Sequence, residues 1–294
     1  MKYKYKLNNK KFTQVYPMPS EDFLEKYYSK IYFKKKTSFS YSNKYSKDEL
    51  NNKILRSDFY TKIAKSFFKK DKIKFLEIGC GEGFLLKSAF KSGMNITGVD
   101  YQIDQLLRFN KGLSKFFLRT EPKKFFKNHS NKKKFDIIAI QQVLEHVRNP
   151  ENFVNNIKSF LNKRGIIILS VPNDFKNLQK LILKKNFVKK KYWLYPPEHL
   201  NYFNNENISF FFKKLNLKVE DVVSDFPIEF FLCGTNKNYA TNRNKGKEAH
   251  NARVTLDNFI LSQDFKKSLN YFRSTHLCGL GRSMTFFLRK KNFF

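Results

Sequence analysis

Residues 75–86 read FLEIGCGEGFLL: an apolar run with one acid, then Gly79, Gly81 and Gly83 at alternate positions, then an apolar run again. The chain of 294 residues holds only 11 glycines, so three together mean that something approaches the backbone closely. A strand ending at Ile78 and passing through this loop into a helix from about Phe84 sets bare peptide and a helix N-terminus over the strand's end. A dinucleotide loop, G-x-G-x-x-G, would put its last glycine at position 84, but Phe84 stands there and the spacing is G-x-G-x-G. The next apolar run, NITGVD, ends in Asp100, about 20 residues on, where an acid accepts hydrogen bonds from ribose hydroxyls.

Apolar runs of strand length recur at 73–78, 96–99, 135–140 and 166–171, separated by helical or polar stretches. That alternation predicts a parallel sheet wrapped by helices. Helical spacing marks 48–70 and 203–217; strands are expected at 218–226 and, last, at 283–290. The insertion between those strands, 227–281, far exceeds the usual connection of about 2–6 residues and is read as a substrate-side cap. Residues 1–50 are weakly periodic apart from PSEDFLEKYYSKIYF at 19–33, where Ser20 caps a short helix. Residues 1–70 are therefore expected as a helical and irregular extension, and 71–294 as the main domain.

The formal charge is +33, with 58 Lys and Arg against 25 Asp and Glu. Such a field attracts phosphates, acidic substrates and anionic membrane surfaces. Lys, Asn, Phe, Ile and Tyr are all abundant, however, as an A+T-rich coding sequence would give, and Lys far outnumbers Arg, the better phosphate reader. No dedicated nucleic-acid partner is expected. Peripheral contact with an anionic membrane stays open. No apolar stretch reaches the roughly 20 residues of a membrane span, and MKYKYKLNNKKF lacks the apolar centre of a signal peptide, so the expected location is the cytoplasm. Three cysteines without a CxxC pair suggest neither a disulfide framework nor a zinc ribbon, and no metal is expected.

E-x-G-C-G-x-G, then G-V-D, then FDIIAIQQVLEHVRNPENFVNNIKSFLNKRGIIILSVPN resembles the class I S-adenosylmethionine-dependent methyltransferases over about residues 73–225. The resemblance implies a Rossmann-like α/β fold, a seven-stranded mostly parallel sheet with helices on both faces and the last strand antiparallel, with the insertion before that strand. It implies S-adenosylmethionine as cofactor. Glu77 would order the loop and the cofactor's amino-acid end, Gly79, Gly81 and Gly83 would lie against the cofactor with Cys80 among them, and Asp100, followed by Tyr101, would hold the ribose. Glu121 is the nearest match to an acid facing the adenine, and Gln141 and Gln142 would line the methionine side.

Transfer from a sulfonium needs alignment above all, and a base only where the acceptor must lose a proton. Exocyclic-amine methylation of bases uses [DN]-P-P-[FY] in this family, but those positions read Q-Q-V-L. No cysteine stands in the Pro-Cys context of pyrimidine C5 methylation. VLEHVRNPENF at 143–153 and PPEHLNYFN at 196–204 resemble the branch that methylates small molecules, quinone precursors and sugars of bacterial surface polysaccharides. An O-methyl transfer to a small, anionic, sugar-containing acceptor is the expected reaction. RNA methylation and non-catalytic cofactor binding in a partner subunit are the alternatives.

His199 is either the base for a hydroxyl proton or the pin of its loop. His146 and Glu145 are read as catalytic or as capping and packing groups. Tyr192, Trp193 and Tyr195 would wall a sugar or simply pack. Lys247, His250 and Arg253 recur at three-residue steps, which brings side chains together on a helix. With Arg243 and Arg282 they form either a phosphate receptor or a solvated face.

Overall fold

The computed structural model describes residues 3–9, 11–28, 44–129, 134–234, 238–242 and 244–291. The strands predicted from apolar runs appear as β3 (Lys74–Ile78), β4 (Asn95–Asp100), β6 (Phe135–Gln141), β7 (Leu161–Pro172), β9 (Leu217–Ser224) and β10 (Ser283–Lys290). With β5 (Phe117–Arg119) they form a seven-stranded sheet in the order β5-β4-β3-β6-β7-β10-β9. β10 enters antiparallel between β7 and β9, and β3, β4, β5, β6 and β7 pair in parallel.

The central strands are apolar on both faces because both are covered. Alternate residues go opposite ways. Leu76, Ile138, Ile140, Ile167 and Leu169 meet Phe153, Ile157 and Phe160 of α6 (Pro150–Phe160) and Phe211 and Phe212 of α8 (Asn205–Lys214). Phe75, Ile137, Ala139, Ile166 and Ile168 meet Phe59 and Ile63 of α2 (Lys47–Lys65), Leu85 and Leu86 of α3 (Phe84–Lys91), and Phe272 of α10 (Phe265–Leu277). α2 starts with a capping box in which Ser46 and Glu49 bond each other's backbone N–H. No helix among the described residues is long and apolar enough to cross a membrane.

Two regions differ from expectation. The N-terminal stretch holds β1 (Lys4–Leu7) and β2 (Thr13–Tyr16), which with β8 (Asn201–Tyr202) make a second, antiparallel sheet. Val15, Leu24, Trp193, Leu200 and Tyr202 fill the small core beneath it. The Ser20-capped helix is α1 (Glu21–Lys26), and the remainder of the predicted helix from residue 29 lies outside the described residues.

The insertion is largely a structural layer. α9 (Lys245–Leu261) runs alongside α2, with His250 meeting Glu49 and Asp257 meeting Arg56. α10 then returns against α2 and β10, stacking Phe265 and Phe272 on Phe59. Among the described residues of the insertion, 228–234 and 238–242 turn toward α7 (Asn177–Lys184), through Leu232 on Ile182 and the Asn238 amide donating to the Phe187 carbonyl at 2.6 Å.

Asp136 ties the lower ends of the sheet together. Its buried carboxylate accepts from Lys70 at 2.7 Å, from the Lys74 N–H at 2.9 Å and from Asn162 at 2.6 Å. Burial alone would raise its pKa, but these donors outweigh it and hold the carboxyl below the ordinary aspartate value of 3.8. A depressed native pKa stabilises above the unfolded value and is lost as pH falls through the native one. Asp136→Asn should therefore cost about 1–3 kcal/mol at neutral pH, read by urea denaturation, with the gap to wild type closing below about pH 4.

Candidate functional site

The glycine loop follows β3. Gly79, Gly81 and Gly83 have φ of +72°, +49° and +74°, all left-handed. A Cβ on Gly79 would lie 2.5 Å from Val143 Cγ2, so the loop also needs glycine for space. Asp100, the last residue of β4, is 5% exposed and accepts the Gly81 N–H at 2.8 Å. Its other oxygen lies 3.5 Å from the Gln102 N–H. Glu77 is 3% exposed, and its Oε2 has no hydrogen-bond partner among the described residues.

Burial pushes the Glu77 carboxyl well above its usual range, the Leu86 N–H opposing and the Asp100 charge adding. Burial also raises Asp100, against the N–H groups of Gly81, Gln102 and Tyr101. Cys80 is buried and its thiol is pushed well up by burial and by both acids, which leaves it inert. Glu82, also in the loop, takes a different role: Lys53 Nζ lies 2.7 Å away and Tyr45 donates to it, tying the loop to α2.

Tyr101 follows Asp100, and the Thr120 N–H donates to the Asp100 carbonyl at 3.0 Å, which sets Glu121 beside them at the end of β5. The Glu121 charge is the second cause, after burial, of a raised Tyr101 pKa. Gln141 ends β6, and Gln142 turns left-handed at φ +53° with its N–H on the Ser170 carbonyl. All ten residues expected around the cofactor thus lie along the C-terminal edge of β3, β4, β5 and β6.

A second constellation forms where the loops after β6 and β7 meet. Residues Leu144–His146 make one 3-10 turn. The Leu200 N–H donates to the Glu145 carbonyl at 2.8 Å, and the Asn201 amide donates to Leu144 and Val147 carbonyls at 3.2 and 2.7 Å. This stitching joins VLEHV to PPEHLNY and brings Glu145, His146 and His199 together, each offering an atom within 4.8 Å of the others. The two imidazole centroids are 5.0 Å apart, edge to face. His146 Nδ1 lies 2.6 Å from the Glu198 carbonyl, which fixes the proton there and turns Nε2 toward Glu145, 3.9 Å away. Tyr28, beyond α1, places its hydroxyl 3.0 Å from His146 Nδ1 and its ring over Tyr101 at 6.5 Å between centroids.

Neither carboxylate oxygen of Glu145 has a hydrogen-bond partner among the described residues, nor has His199 Nδ1. Burial raises the Glu145 carboxyl to about 8, the Asp174 charge adding and Arg282 opposing. Burial lowers His146 to about 4 and His199 well below the usual imidazole range. Both imidazoles are therefore neutral at physiological pH, with lone pairs to offer.

Of the aromatic trio, Tyr195 alone stands at this site, 37% exposed with its ring 5.7 Å from His199. Trp193 is 1% exposed, edge-on to Phe175 and Tyr192 in the core beneath the second sheet, so it cannot stack on a ligand. Tyr192 packs between Trp193 and Tyr239.

The basic set does not converge as a receptor. His250 Nε2 lies 2.9 Å from Glu49, and Arg253 shares the buried Asp257 with Arg56 at 3.0 and 2.6 Å. Lys247 is exposed, and Arg243 lies outside the described residues. Arg282 is elsewhere, bonded to Asp174 just after β7. Asp174 was not singled out from the sequence; the signal was a polar Asn-Asp pair closing a buried strand.

A family model described as "Methyltransferase domain" matches residues 52–222. A ubiquinone biosynthesis O-methyltransferase of Actinobacillus pleuropneumoniae serotype 7 (strain AP76) is 32% identical over 126 residues, covering 40% of this chain and 53% of that protein. Its counterpart from Pelagibacter ubique (strain HTCC1062) is 30% identical over 118 residues, covering 38% and 47%. The chain thus spans about half the length of the curated relatives it matches. In fold it resembles the plantazolicin methyltransferase BpumL, solved with a pentazolic desmethylPZN analog and SAH, at TM-score 0.50 and 16% identity over 92% of this chain and 95% of that one.

Gly79→Ala and Gly93→Ala separate conformation from contact. Gly93 has φ +81° and nothing within 4 Å of a built Cβ. Its replacement should cost about 1–2 kcal/mol for the left-handed backbone alone. Gly79→Ala should cost measurably more by denaturant titration, because Val143 must also move; equal losses would mean that the loop yields freely.

Proposed function

The chain belongs to the class I S-adenosylmethionine-dependent methyltransferase family, and from that premise we propose that it transfers a methyl group from S-adenosylmethionine to a hydroxyl oxygen of a small, anionic, sugar-containing acceptor. The cofactor would be held by Glu77, the loop from Gly79 to Gly83, Asp100, Tyr101, Glu121, Gln141 and Gln142. The residues fit it: among the described residues Glu77 Oε2 lacks a hydrogen-bond partner, and the buried Asp100 carboxylate stands beside the left-handed glycine loop, so two buried acids adjoin bare backbone suited to ammonium and hydroxyl donors. Bound there, the cofactor supplies a methyl carbon already activated by its sulfonium.

The observation that carries the oxygen acceptor is the convergence of Glu145, His146 and His199 next to the end of β6, each offering an atom within 4.8 Å of the others. These groups would receive and orient a hydroxyl and ease the loss of its proton. Two further observations support the reading. The matched relatives are named as O-methyltransferases, and the positions at the end of β6 and just beyond it, 141–144, read Gln-Gln-Val-Leu rather than the pattern of base amine methylation. Tyr195 at the mouth gives a ring face for a sugar, and the formal charge of +33 favours acceptors that carry phosphate.

Calorimetric titration with S-adenosylmethionine and S-adenosylhomocysteine should show binding that Asp100→Ala weakens by at least tenfold. Transfer of labelled methyl to nucleotide-linked sugars and glycolipids, with the product's methyl position read by NMR, then tests the acceptor. Glu145→Gln is expected to lower turnover by about 100-fold or more while leaving cofactor affinity within about twofold. A methyl found on nitrogen or carbon, or turnover indifferent to Glu145, would sink the hydroxyl reading.

A further inference from the structure

We propose that Asp174 and Arg282, with Tyr192 and Tyr195 beside them, form a specificity subsite that reads two neighbouring hydroxyl groups of a sugar ring, holding the acceptor by hydroxyls other than the one that is methylated. The subsite deepens the O-methyl reading above and rests on it.

The pair stands one strand over from Glu145, on the same edge of the sheet. β6 and β7 run parallel with Gln141 opposite Ser170, and Asp174 lies two residues beyond the end of β7 at Pro172. Arg282 immediately precedes β10, whose Ser283 pairs with Pro172. Backbone bonds fix both residues: the Asp174 N–H donates to the Phe203 carbonyl at 2.7 Å, and the Asn173 N–H to the Arg282 carbonyl at 2.8 Å. Phe175, next in the chain, is left-handed at φ +61°, a conformation that a bulky residue keeps only where its surroundings enforce it. The charges of Asp174 and Arg282 act on Glu145 and Tyr195, and that of Arg282 on His199, so the pair neighbours the triad.

The pair is incompletely bonded. Arginine and carboxylate frequently meet in a two-bond fork, as Arg273 and Asp221 do through Nε and Nη2 at 2.9 and 2.7 Å. Arg282 gives Asp174 a single bond, Nη1 to Oδ1, and its guanidinium makes no other hydrogen bond among the described residues. Its side chain keeps 22% of its surface open. Asp174 is 1% exposed, and its Oδ2 has no hydrogen-bond partner among the described residues; neither has the buried Tyr192 hydroxyl. Uncommitted N–H donors next to an uncommitted carboxylate oxygen suit hydroxyls, which both donate and accept: one hydroxyl accepts from Arg282 while its neighbour donates to Asp174. Such bonds relieve the cost of the unmet buried atoms.

Charge decides against phosphate or carboxylate at this position. Asp174 and Glu229 are balanced by Arg282 and by Lys176, whose Nζ lies 3.1 Å from Glu229. An anion on Arg282 would add negative charge beside Asp174 and leave Oδ2 unmet, whereas hydroxyls keep the balance. The acceptor's own charge falls to the field outside, to which Lys189, Lys190 and Lys191, exposed just before Tyr192, contribute. Glu229 and Tyr239 come from the insertion, and the Glu229 charge acts on both Arg282 and Tyr192, so this part of the insertion shapes the subsite.

The test uses the full chain saturated with S-adenosylhomocysteine. UDP-glucose, UDP-galactose, GDP-mannose and dTDP-rhamnose are titrated by calorimetry and saturation-transfer NMR, followed by the singly deoxygenated forms of whichever binds. At least one sugar is expected to bind through its ring protons, and loss of either of two neighbouring hydroxyls should weaken it by about tenfold or more, a result that needs no variant to fold. Asp174→Asn and Arg282→Lys, checked by circular dichroism and S-adenosylhomocysteine affinity, should weaken the parent sugar to a similar degree yet alter the matching deoxy sugar by less than about twofold. No binding of any of the sugars by folded, cofactor-binding protein would overturn the proposal. So would deoxy sugars that bind as tightly as the parent, or variants that weaken parent and deoxy sugars equally, the mark of a pair that only holds structure. O-methyl transfer to an acceptor with a single hydroxyl, indifferent to both variants, would remove the subsite and leave the O-methyl reading standing; sugar binding that depends on the pair, with the methyl arriving on nitrogen or carbon, would do the reverse.

Discussion

The backbone bond from Leu200 N–H to the Glu145 carbonyl, 2.8 Å long, is the contact on which the second half of the site depends. Asn201 reinforces it by donating to the carbonyls on either side, Leu144 and Val147. Three carbonyls of an irregular turn are buried at once, and each needs a donor. The loop after β7 supplies them, and in doing so carries His199 over His146 and feeds β8 into the N-terminal sheet. The two loops, the small sheet and the burial of Trp193 are therefore one connected unit.

The positive charge is organised in two ways. Buried cations are committed: Arg56 to Asp257, Lys176 to Glu229 and Arg282 to Asp174. Removing either partner of such a pair leaves an uncompensated charge inside, so these contacts fix geometry more than they add stability. The excess that gives +33 stands on exposed lysines, where it shapes the field a ligand meets without altering the fold. Of the evenly spaced Lys247, His250 and Arg253, the last two meet acids while Lys247 stays exposed. Their spacing was legible, but Glu49 and Asp257, the acids they meet or share, were not, because nothing in one helix's periodicity says what its neighbour presents.

The same division explains what the sequence disclosed. The central strands were legible because burial on both faces makes an unbroken apolar run, and the last strand was read to its ends at 283 and 290. The glycine loop was legible because left-handed backbone restricts residue choice. The second sheet was not: β1 and β2 are four residues each, and β2 finds its partner β8 across the chain, Gln14 bonding Asn201. Strands so short carry no period. Trp193 and Tyr195, two residues apart, look alike in sequence, yet one is buried in the core and the other is half-exposed with its ring beside His199.

Buried acids fall into two groups by what they touch. Asp136, Asp257 and Glu229 each have a lysine or arginine against them, and they hold elements together. Glu77 and Glu145 have none, and each leaves at least one carboxylate oxygen without a hydrogen bond. An unsatisfied buried acceptor costs about 1–3 kcal/mol, a large share of the margin by which a domain stays folded. Both stand on the C-terminal edge of the parallel sheet, one beside the glycine loop and one beside the paired histidines. In a parallel sheet that edge is where helix N-termini and loops gather and where ligands bind. Asp257 and Glu229 also leave one oxygen each without a hydrogen bond, but beside a cation; among the described residues, the buried carboxylates with neither full hydrogen bonding nor an adjacent lysine or arginine thus lie where a bound group can satisfy them, so ligand binding and stability are linked there.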